Sequence, residues 1–323
     1  MSDLLFLAPK FGEYFEFIKI KLSNDYRVTY IDTASVISKD PVFYRQCIRN
    51  NDLSMIARKQ SGYISGELQT ACNSNRFQIV FAIMGTYLSA EHVNFIKANA
   101  PGAKLILYIW DDWKRITNKD KEELVTLFDK VYSFDPVDCR NKGFKLRPLF
   151  YVRNFSTASH KDKDIDVSFL GVKHSDRMER LAEIKTMCER QKLTYDIKLV
   201  TGIIDYVKSI IHYKKDKWSV LYPKSVSYKD YLNTLERSRC VIDIQHPSQK
   251  GLTMRTIEAL AMGCKLITTN DGVQDFKDIP EDMYMIWDGE IDPISFVKFV
   301  KKEINSKLPE SYSLDKFLQE ILS

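Results

Sequence analysis

Two cations, a hydroxyl and a carboxylate occur at short spacing between residues 250 and 258. Lys250, Thr253 and Arg255 come where a polar loop turns into an apolar-periodic helix, and Glu258 follows roughly one helical turn later. The free N–H groups and the dipole at a helix N-terminus favour a bound phosphate. A phosphate site beside a carboxylate indicates a nucleotide ligand.

The elements that must position these residues are a strand, a loop, a helix and a second strand. An apolar strand ends at Ile244, the helix is predicted over residues 253–262, and Gly263 is placed to end it before a strand that begins at Lys265. This is one βαβ unit whose loop is built to hold a ligand. The predicted ligand contacts in the loop and helix are Gln249, Gly251, Leu252, Thr253, Arg255 and Glu258.

A second turn of similar character follows the strand predicted at 165–170. Gly171 permits close backbone approach, and Lys173 and Arg177 flank the start of the next helix. In a doubly wound sheet, ligands bind at the carboxyl ends of the strands, so this turn and the loop at 245–253 can converge on one diphosphate. The alternative is a plain turn with solvated cations.

Glu258 stands inside an otherwise apolar helix. A carboxylate presents two oxygens to a vicinal diol, which suits the hydroxyls of a ribose. A surface carboxylate is the alternative, and Arg255 is equally compatible with a phosphate contact and with a solvated face.

Length and composition indicate a globular protein of two domains. The chain has 323 residues, of which 44% are hydrophobic, and its formal charge of +5 comes from basic residues scattered among acidic ones. Nucleic-acid binding is not indicated.

The six cysteines lack metal-type spacing and are read as reduced. The N-terminus lacks a basic leader region, and no apolar run has the length of a membrane span, so a cytoplasmic location is expected, with weak peripheral contact at the inner membrane left open.

Strands alternate with helices along the whole chain, which predicts an α/β protein with two doubly wound, Rossmann-like domains. The polar stretch 153–164 has the composition of a linker. We therefore predict an acceptor-binding domain at 1–153, a nucleotide-sugar-binding domain at 154–300, and a C-terminal helical segment at 301–323 that can pack back on the first domain.

The unit around Glu258 resembles the donor-binding element of GT-B glycosyltransferases, in particular CgeB-like and group-1 bacterial surface-polysaccharide enzymes. Residues Glu258 to Gly263 read Glu-Ala-Leu-Ala-Met-Gly, which is similar to the family motif that carries the ribose-binding carboxylate. Many retaining members have a second glutamate eight residues earlier, where this chain has Lys250. The resemblance therefore implies glycosyl transfer more firmly than a retaining mechanism.

The first half carries the same resemblance in the segments 107–113, 128–138 and 147–151. Asp111 follows a predicted strand and is the candidate base for an inverting transfer, with an N-cap or a salt bridge as the alternative. His246 and Lys250 are the other candidate catalytic residues, placed near the donor sugar. The family implies two Rossmann-like domains facing a cleft, without a bound metal or any cofactor beyond the nucleotide-sugar substrate.

The function predicted is transfer of a sugar from a nucleotide sugar to a glycan or lipid-linked acceptor, in lipopolysaccharide or other bacterial surface-polysaccharide synthesis. Two alternatives remain open. One is a nucleotide-sugar 2-epimerase of the same fold, and the other is a nucleotide-sugar-binding protein without catalysis.

Overall fold

The structure is a computed structural model that describes residues 1–84, 87–116, 118, 120–152, 163–173, 176–245, 249–290 and 292–323. The chain divides into two compact units. Unit 1 comprises Met1–Leu149 with Leu314–Ser323, and unit 2 comprises Phe150–Ser313. The predicted linker at 153–164 falls largely outside the described residues, and the chain passes between the two units after Leu149 and after Ser313.

Unit 1 is built on a six-stranded parallel sheet in the order β2-β1-β3-β4-β5-β6. Its inner strands are continuous apolar runs, as expected for parallel strands covered on both faces. The strands are β1 Ser2–Ala8, β2 Tyr26–Asp32, β3 Ile79–Ile83, β4 Lys104–Ile109, β5 Lys130–Ser133 and β6 Lys145–Leu146. The helices are α1 Gly12–Asp25, α2 Ser35–Lys39, α3 Pro41–Arg49, α4 Leu53–Ser74, α5 Ala90–Asn99, α6 Lys121–Thr126, α7 Pro136–Lys142 and, at the end of the chain, α14 Leu314–Leu322.

The last helix, α14, belongs to unit 1 through contacts with its sheet and with α1. The ring of Phe317 packs edge-on against Tyr108 of β4, with 4.8 Å between ring centroids. Glu320 pairs with the buried Arg147 at 3.0 Å. The chain therefore returns to its first unit after completing the second.

Unit 2 contains a second six-stranded parallel sheet, in the order β12-β11-β10-β7-β8-β9. The strands are β7 Ile165–Val172, β8 Tyr195–Val200, β9 Leu221–Tyr222, β10 Ser238–Asp243, β11 Lys265–Thr268 and β12 Tyr284–Ile286. The helices are α8 Arg177–Arg190, α9 Ile203–His212, α10 Lys215–Trp218, α11 Tyr228–Arg237, α12 Met254–Ala261 and α13 Pro293–Lys301.

The strand order of unit 2 is that of a dinucleotide-binding Rossmann sheet. The chain runs outward from β7 through β8 to β9, then crosses back and runs outward from β10 to β12 on the other side. The topological switch point, where ligands bind in such sheets, therefore lies at the carboxyl ends of β7 and β10. Both cation-bearing turns singled out in the sequence begin at these two strand ends.

The predicted fold class is confirmed: the chain has two parallel, Rossmann-like α/β sheets with helices. The helix predicted at 253–262 is α12, and Gly263 follows it with a left-handed φ of 67°. Within the described ranges, no helix combines the length and the apolar character needed to cross a bilayer.

Candidate functional site

Arg177 joins the two strand ends at the switch point of unit 2. Its Nε and Nη2 donate to the carbonyl oxygen of Ile244 at 3.1 and 2.6 Å, and its Nη1 donates to the carbonyl oxygen of Val172 at 3.1 Å. The side chain is buried. Burial, and then the nearby charge of Arg255, lower the pKa of Arg177 to about 10, so the group stays cationic at neutral pH.

Arg255 forms the second half of a paired-arginine cluster. The guanidinium groups of Arg177 and Arg255 lie 5.7 and 5.6 Å from the centroid of the Phe169 ring. A Cβ atom at Gly171 would lie 2.9 Å from Cζ of Phe169 and 3.2 Å from Nη2 of Arg255. A side chain at 171 would therefore fit only if this ring and this guanidinium shifted.

Asp243, the last residue of β10, links the start of α12 to the sheet. Its Oδ2 accepts hydrogen bonds from the hydroxyls of Thr256 at 3.1 Å and Thr268 at 3.2 Å. Its Oδ1 lies 3.6 Å from Nη1 of Arg255 and accepts no hydrogen bond from any described residue. This buried carboxylate orients Arg255 electrostatically and leaves most of that side chain's hydrogen-bonding capacity for other partners.

Glu258 is buried on α12 and contacts the first residue of α11. The hydroxyl of Tyr228 donates to Oε1 of Glu258 at 2.5 Å. The hydroxyl of Tyr231 lies close to both charged groups of α12: burial and then Glu258 raise its pKa well above the usual value, whereas Arg255 acts in the opposite direction. Within the described residues this buried hydroxyl has no hydrogen-bond partner. The structure thus brings Arg255 and Glu258 to one polar region.

The loop that precedes α12 is held by Asn270, which follows β11. The Asn270 amide donates to the carbonyl oxygen of Lys250 at 3.2 Å, and its Oδ1 accepts from the N–H of Gly272 at 2.9 Å. A Cβ atom at Gly272 would overlap the Lys250 carbonyl, so the two loops touch backbone to backbone. The Lys250 ammonium pairs with Asp271.

The other residues of this loop that were predicted to contact the ligand form hydrogen bonds within the loop and α12 or are buried. The side-chain amide of Gln245 donates to the carbonyl oxygen of Gln249, which closes the loop between 245 and 249. Thr253 is the N-cap of α12, accepting from the N–H of Thr256 at 3.3 Å, and Leu252 is buried. Gly251 is buried beside Asn270, which reaches its carbonyl oxygen at 3.5 Å.

Lys173 extends the cationic region along the end of β7. Its Nζ donates to the hydroxyl of Ser209 on α9 at 3.2 Å. Lys173 therefore links the loop after β7 to α9, and it lies on the same strand end as Gly171. His246, the third candidate catalytic residue, falls outside the described residues.

In unit 1 the predicted base, Asp111, lies just past β4 among other carboxylates. Asp111 Oδ1 accepts from the N–H of Asp112 at 2.9 Å, and Asp112 caps the short 3-10 turn Trp113–Arg115 through the N–H of Lys114. Asp138 on α7 accepts from the N–H of Trp113 at 2.9 Å. Burial, followed by the charges of Asp135 and Asp112, raises the pKa of Asp138.

Aromatic side chains border this acidic group. The rings of Phe11 and Tyr14, from the loop after β1 and the start of α1, approach the half-buried Trp110 with centroid separations of 4.8 and 6.4 Å. Gly12 between them has a left-handed φ of 54°. The edge of unit 1 thus combines carboxylates with half-buried aromatic side chains.

Several residues of the unit 2 region were not found from the sequence. Tyr228, Tyr231, Asp243 and Asn270 became visible only when the fold placed them against Glu258, Arg255 and Lys250. A usable signal existed for two of them, since Asp243 ends an apolar strand and Asn270 follows another.

Comparison with known proteins supports the fold. No family model and no curated protein matches the chain. Among solved structures, the N-terminal domain of Candida albicans trehalose-6-phosphate phosphatase is similar with a TM-score of 0.58 and 11% identity, over 100% of this chain and 93% of that one.

Two further similar structures are a sugar-nucleotide epimerase and a glycosyltransferase. UDP-GlcNAc 2-epimerase from Methanocaldococcus jannaschii has a TM-score of 0.55 and 11% identity, over 100% of this chain and 98% of that one. AviGT4, a glycosyltransferase of avilamycin A biosynthesis, has a TM-score of 0.54 and 10% identity, over 99% and 93%. At these identities the similarity establishes a shared fold, that of the GT-B proteins.

Proposed function

We propose that this protein is a glycosyltransferase that uses a nucleotide-sugar donor and binds it in unit 2. The observation that carries the proposal is the paired-arginine cluster at the switch point, with the buried carboxylate of Glu258 about one turn further along α12. Cations suit a diphosphate, and a carboxylate suits the hydroxyls of a ribose. The proposal draws additional support from the shared fold with a glycosyltransferase and a sugar-nucleotide epimerase.

In the proposed site Arg255 and the N-terminus of α12 contact the diphosphate, together with Lys173. Arg177 has its donors directed at carbonyl oxygens, so we assign it a positioning role: it holds the two strand ends together and adds positive charge beneath the diphosphate. When the sugar–phosphate bond breaks, its electrons pass to the diphosphate. Fixed cations stabilise that leaving group without reorganising.

The acceptor side of the reaction is assigned by the motif resemblance. The acceptor hydroxyl oxygen forms a bond to the anomeric carbon and its proton passes to a base, for which Asp111 is the candidate in an inverting transfer. Lys250 and His246 are assigned to the donor sugar. We propose a glycan or lipid-linked acceptor of bacterial surface polysaccharide, and transfer without a bound metal.

A 2-epimerase is the second candidate function, because the chain shares its fold with UDP-GlcNAc 2-epimerase. Incubation of the full chain with UDP-, GDP-, CMP- and dTDP-sugars, with and without bacterial glycan acceptors, separates the two. A transferase releases nucleotide faster when acceptor is present. An epimerase gives a changed nucleotide sugar and no acceptor dependence.

The residue control for this assay is a pair of arginine variants in unit 2. Arg255→Gln is expected to lower turnover by at least tenfold, the loss of one charge-assisted contact of about 1.5–3 kcal/mol. Arg190→Gln removes an exposed arginine at the end of α8 and is expected to behave as wild type. Equal turnover in both variants would exclude the paired-arginine cluster as the diphosphate site.

A further inference from the structure

Helix α9 exposes an aliphatic face to solvent. Ile203, Ile204, Val207, Ile210 and Ile211 are between 40 and 73% exposed. Their spacing of i, i+1, i+4, i+7 and i+8 places them on one side of a helix. Isolated exposed aliphatic residues are ordinary on protein surfaces, but five on one helix face form a contiguous patch of the kind that marks an interaction site.

The opposite side of α9 is the one that packs on unit 2. Ser209 is buried and accepts a hydrogen bond from Lys173, and Tyr206 packs edge-on against Trp218 with centroids 6.3 Å apart. The helix therefore buries a polar residue and exposes aliphatic ones. This is the reverse of a helix that serves only to cover a hydrophobic core.

Lysines neighbour the aliphatic face in sequence. Lys208 lies on α9 itself, and Lys214, Lys215 and Lys217 follow directly in sequence, against Asp205 and Asp216. Among the described residues none of these four lysines forms an ion pair, and Tyr213 between them is 42% exposed. Lysine stems pack along an apolar surface while their ammonium groups reach outward.

We propose that the α9 face, defined as Ile203, Ile204, Val207, Ile210, Ile211 and the four lysines, docks on an anionic lipid surface. An aliphatic helix face bordered by lysines and an interfacial tyrosine matches the composition of helices that lie in the membrane interface. Each lysine near an anionic bilayer contributes on the order of 1 kcal/mol. A second copy of the chain is the alternative occupant, which the test below distinguishes.

The test is flotation of the full chain with vesicles, without any nucleotide sugar. One set is phosphatidylcholine alone, and the other contains phosphatidylglycerol in addition. We expect binding to the anionic vesicles only, weakened by salt. Since no donor or acceptor is present, the result is independent of the proposed glycosyl transfer.

Matched variants assign the binding to the face. Ile204→Ser/Ile211→Ser is expected to reduce the bound fraction by at least tenfold, and Lys214→Gln/Lys215→Gln to reduce it several-fold. The control Ile20→Ser/Ile294→Ser removes two isoleucines that are equally exposed elsewhere and is expected to bind as wild type. Unchanged circular dichroism in each variant confirms that the fold is retained.

Three outcomes overturn the proposal: no binding to anionic vesicles, equal binding to neutral vesicles, or equal loss in the control variant. Light scattering of the wild type and the variant provides a fourth. A wild-type dimer that Ile204→Ser/Ile211→Ser converts to a monomer would identify the α9 face as a contact between copies of the chain instead.

Discussion

The two units share a parallel six-stranded sheet but present opposite charge at the carboxyl ends of their strands. In unit 2 the strand ends carry Arg177 and Arg255 around Phe169. In unit 1 they carry Asp112 and Asp138, with their oxygens turned to backbone N–H groups. The same architecture therefore supports an anion site in one unit and an acidic, aromatic edge in the other.

The charge difference follows from how each loop is held. In unit 2 backbone carbonyls and one carboxylate, Asp243, hold the cations, and the loop before α12 is fixed by Asn270. In unit 1 the carboxylates themselves hold the loop by accepting from N–H groups. A carboxylate that accepts from backbone N–H groups stabilises its own loop. The functional assignment is therefore stronger for unit 2 than for unit 1.

The largest expected effect is at Glu258. Glu258→Ala removes the proposed ribose acceptor, and nucleotide-sugar affinity is expected to fall roughly 10- to 100-fold, the value of a hydrogen bond to a charged group. Titration calorimetry measures it. Glu236→Ala, at an exposed position of α11, is the control. If both variants bind alike, the carboxylate on α12 does not contact the ligand.

Gly171→Ala tests the close packing of the paired-arginine cluster. The added methyl group meets the buried Phe169 ring and the guanidinium of Arg255, so overpacking is expected to cost about 1–3 kcal/mol of unfolding free energy. Affinity for the nucleotide sugar is expected to fall as Arg255 is displaced. Gly202→Ala is the matched control, since a Cβ there meets no atom within 4 Å. Equal denaturation midpoints for the two variants would contradict the packing argument.

Asn270→Ala tests the loop support. Loss of its bonds to Lys250 and Gly272 is expected to cost about 1–2 kcal/mol and to raise KM for the donor more than it changes kcat. Asn233→Ala on exposed α11 surface serves for comparison. A change in stability with an unaltered KM would show that the loop position does not matter to the donor.

The smallest effect is predicted in unit 1, at Asp138. Its raised pKa means that the folded state disfavours the charged carboxylate, so wild-type stability declines as pH rises through that pKa. Asp138→Asn keeps an acceptor for the N–H of Trp113 without the charge. We expect it to be more stable than wild type by up to about 1 kcal/mol at neutral pH and by less in acid. Urea unfolding at both pH values checks the sign, and a less stable variant at neutral pH would contradict it.

The sequence was sufficient for the fold class and for the helix that carries the candidate site. Alternating apolar strands and helices predicted two parallel sheets, and the apolar period with Gly263 predicted α12 to within about one residue at each end. The sheets and this helix could be predicted because the spacing of apolar residues along the chain reflects the local secondary structure.

The partners within the site could not be predicted in the same way. Arg177 is directed at Ile244, 67 residues away in sequence, and Glu258 at Tyr228, 30 residues away. Such pairings arise from strand order, which hydrophobic periodicity does not encode. For the same reason the sequence left Arg177 open between a ligand contact and a solvated position, whereas the fold buries it between two strand ends.

The most direct test of the central claim is hydrogen exchange of the full chain with and without a saturating nucleotide sugar, read by mass spectrometry. Donor binding in unit 2 predicts protection in the peptides spanning 249–258 and 169–173 of unit 2, and unchanged exchange in 104–116 of unit 1. Protection confined to unit 1, or the same unit 2 protection in the Arg255→Gln variant at a donor concentration that half-saturates the wild type, would contradict the assignment of donor binding to the paired-arginine cluster.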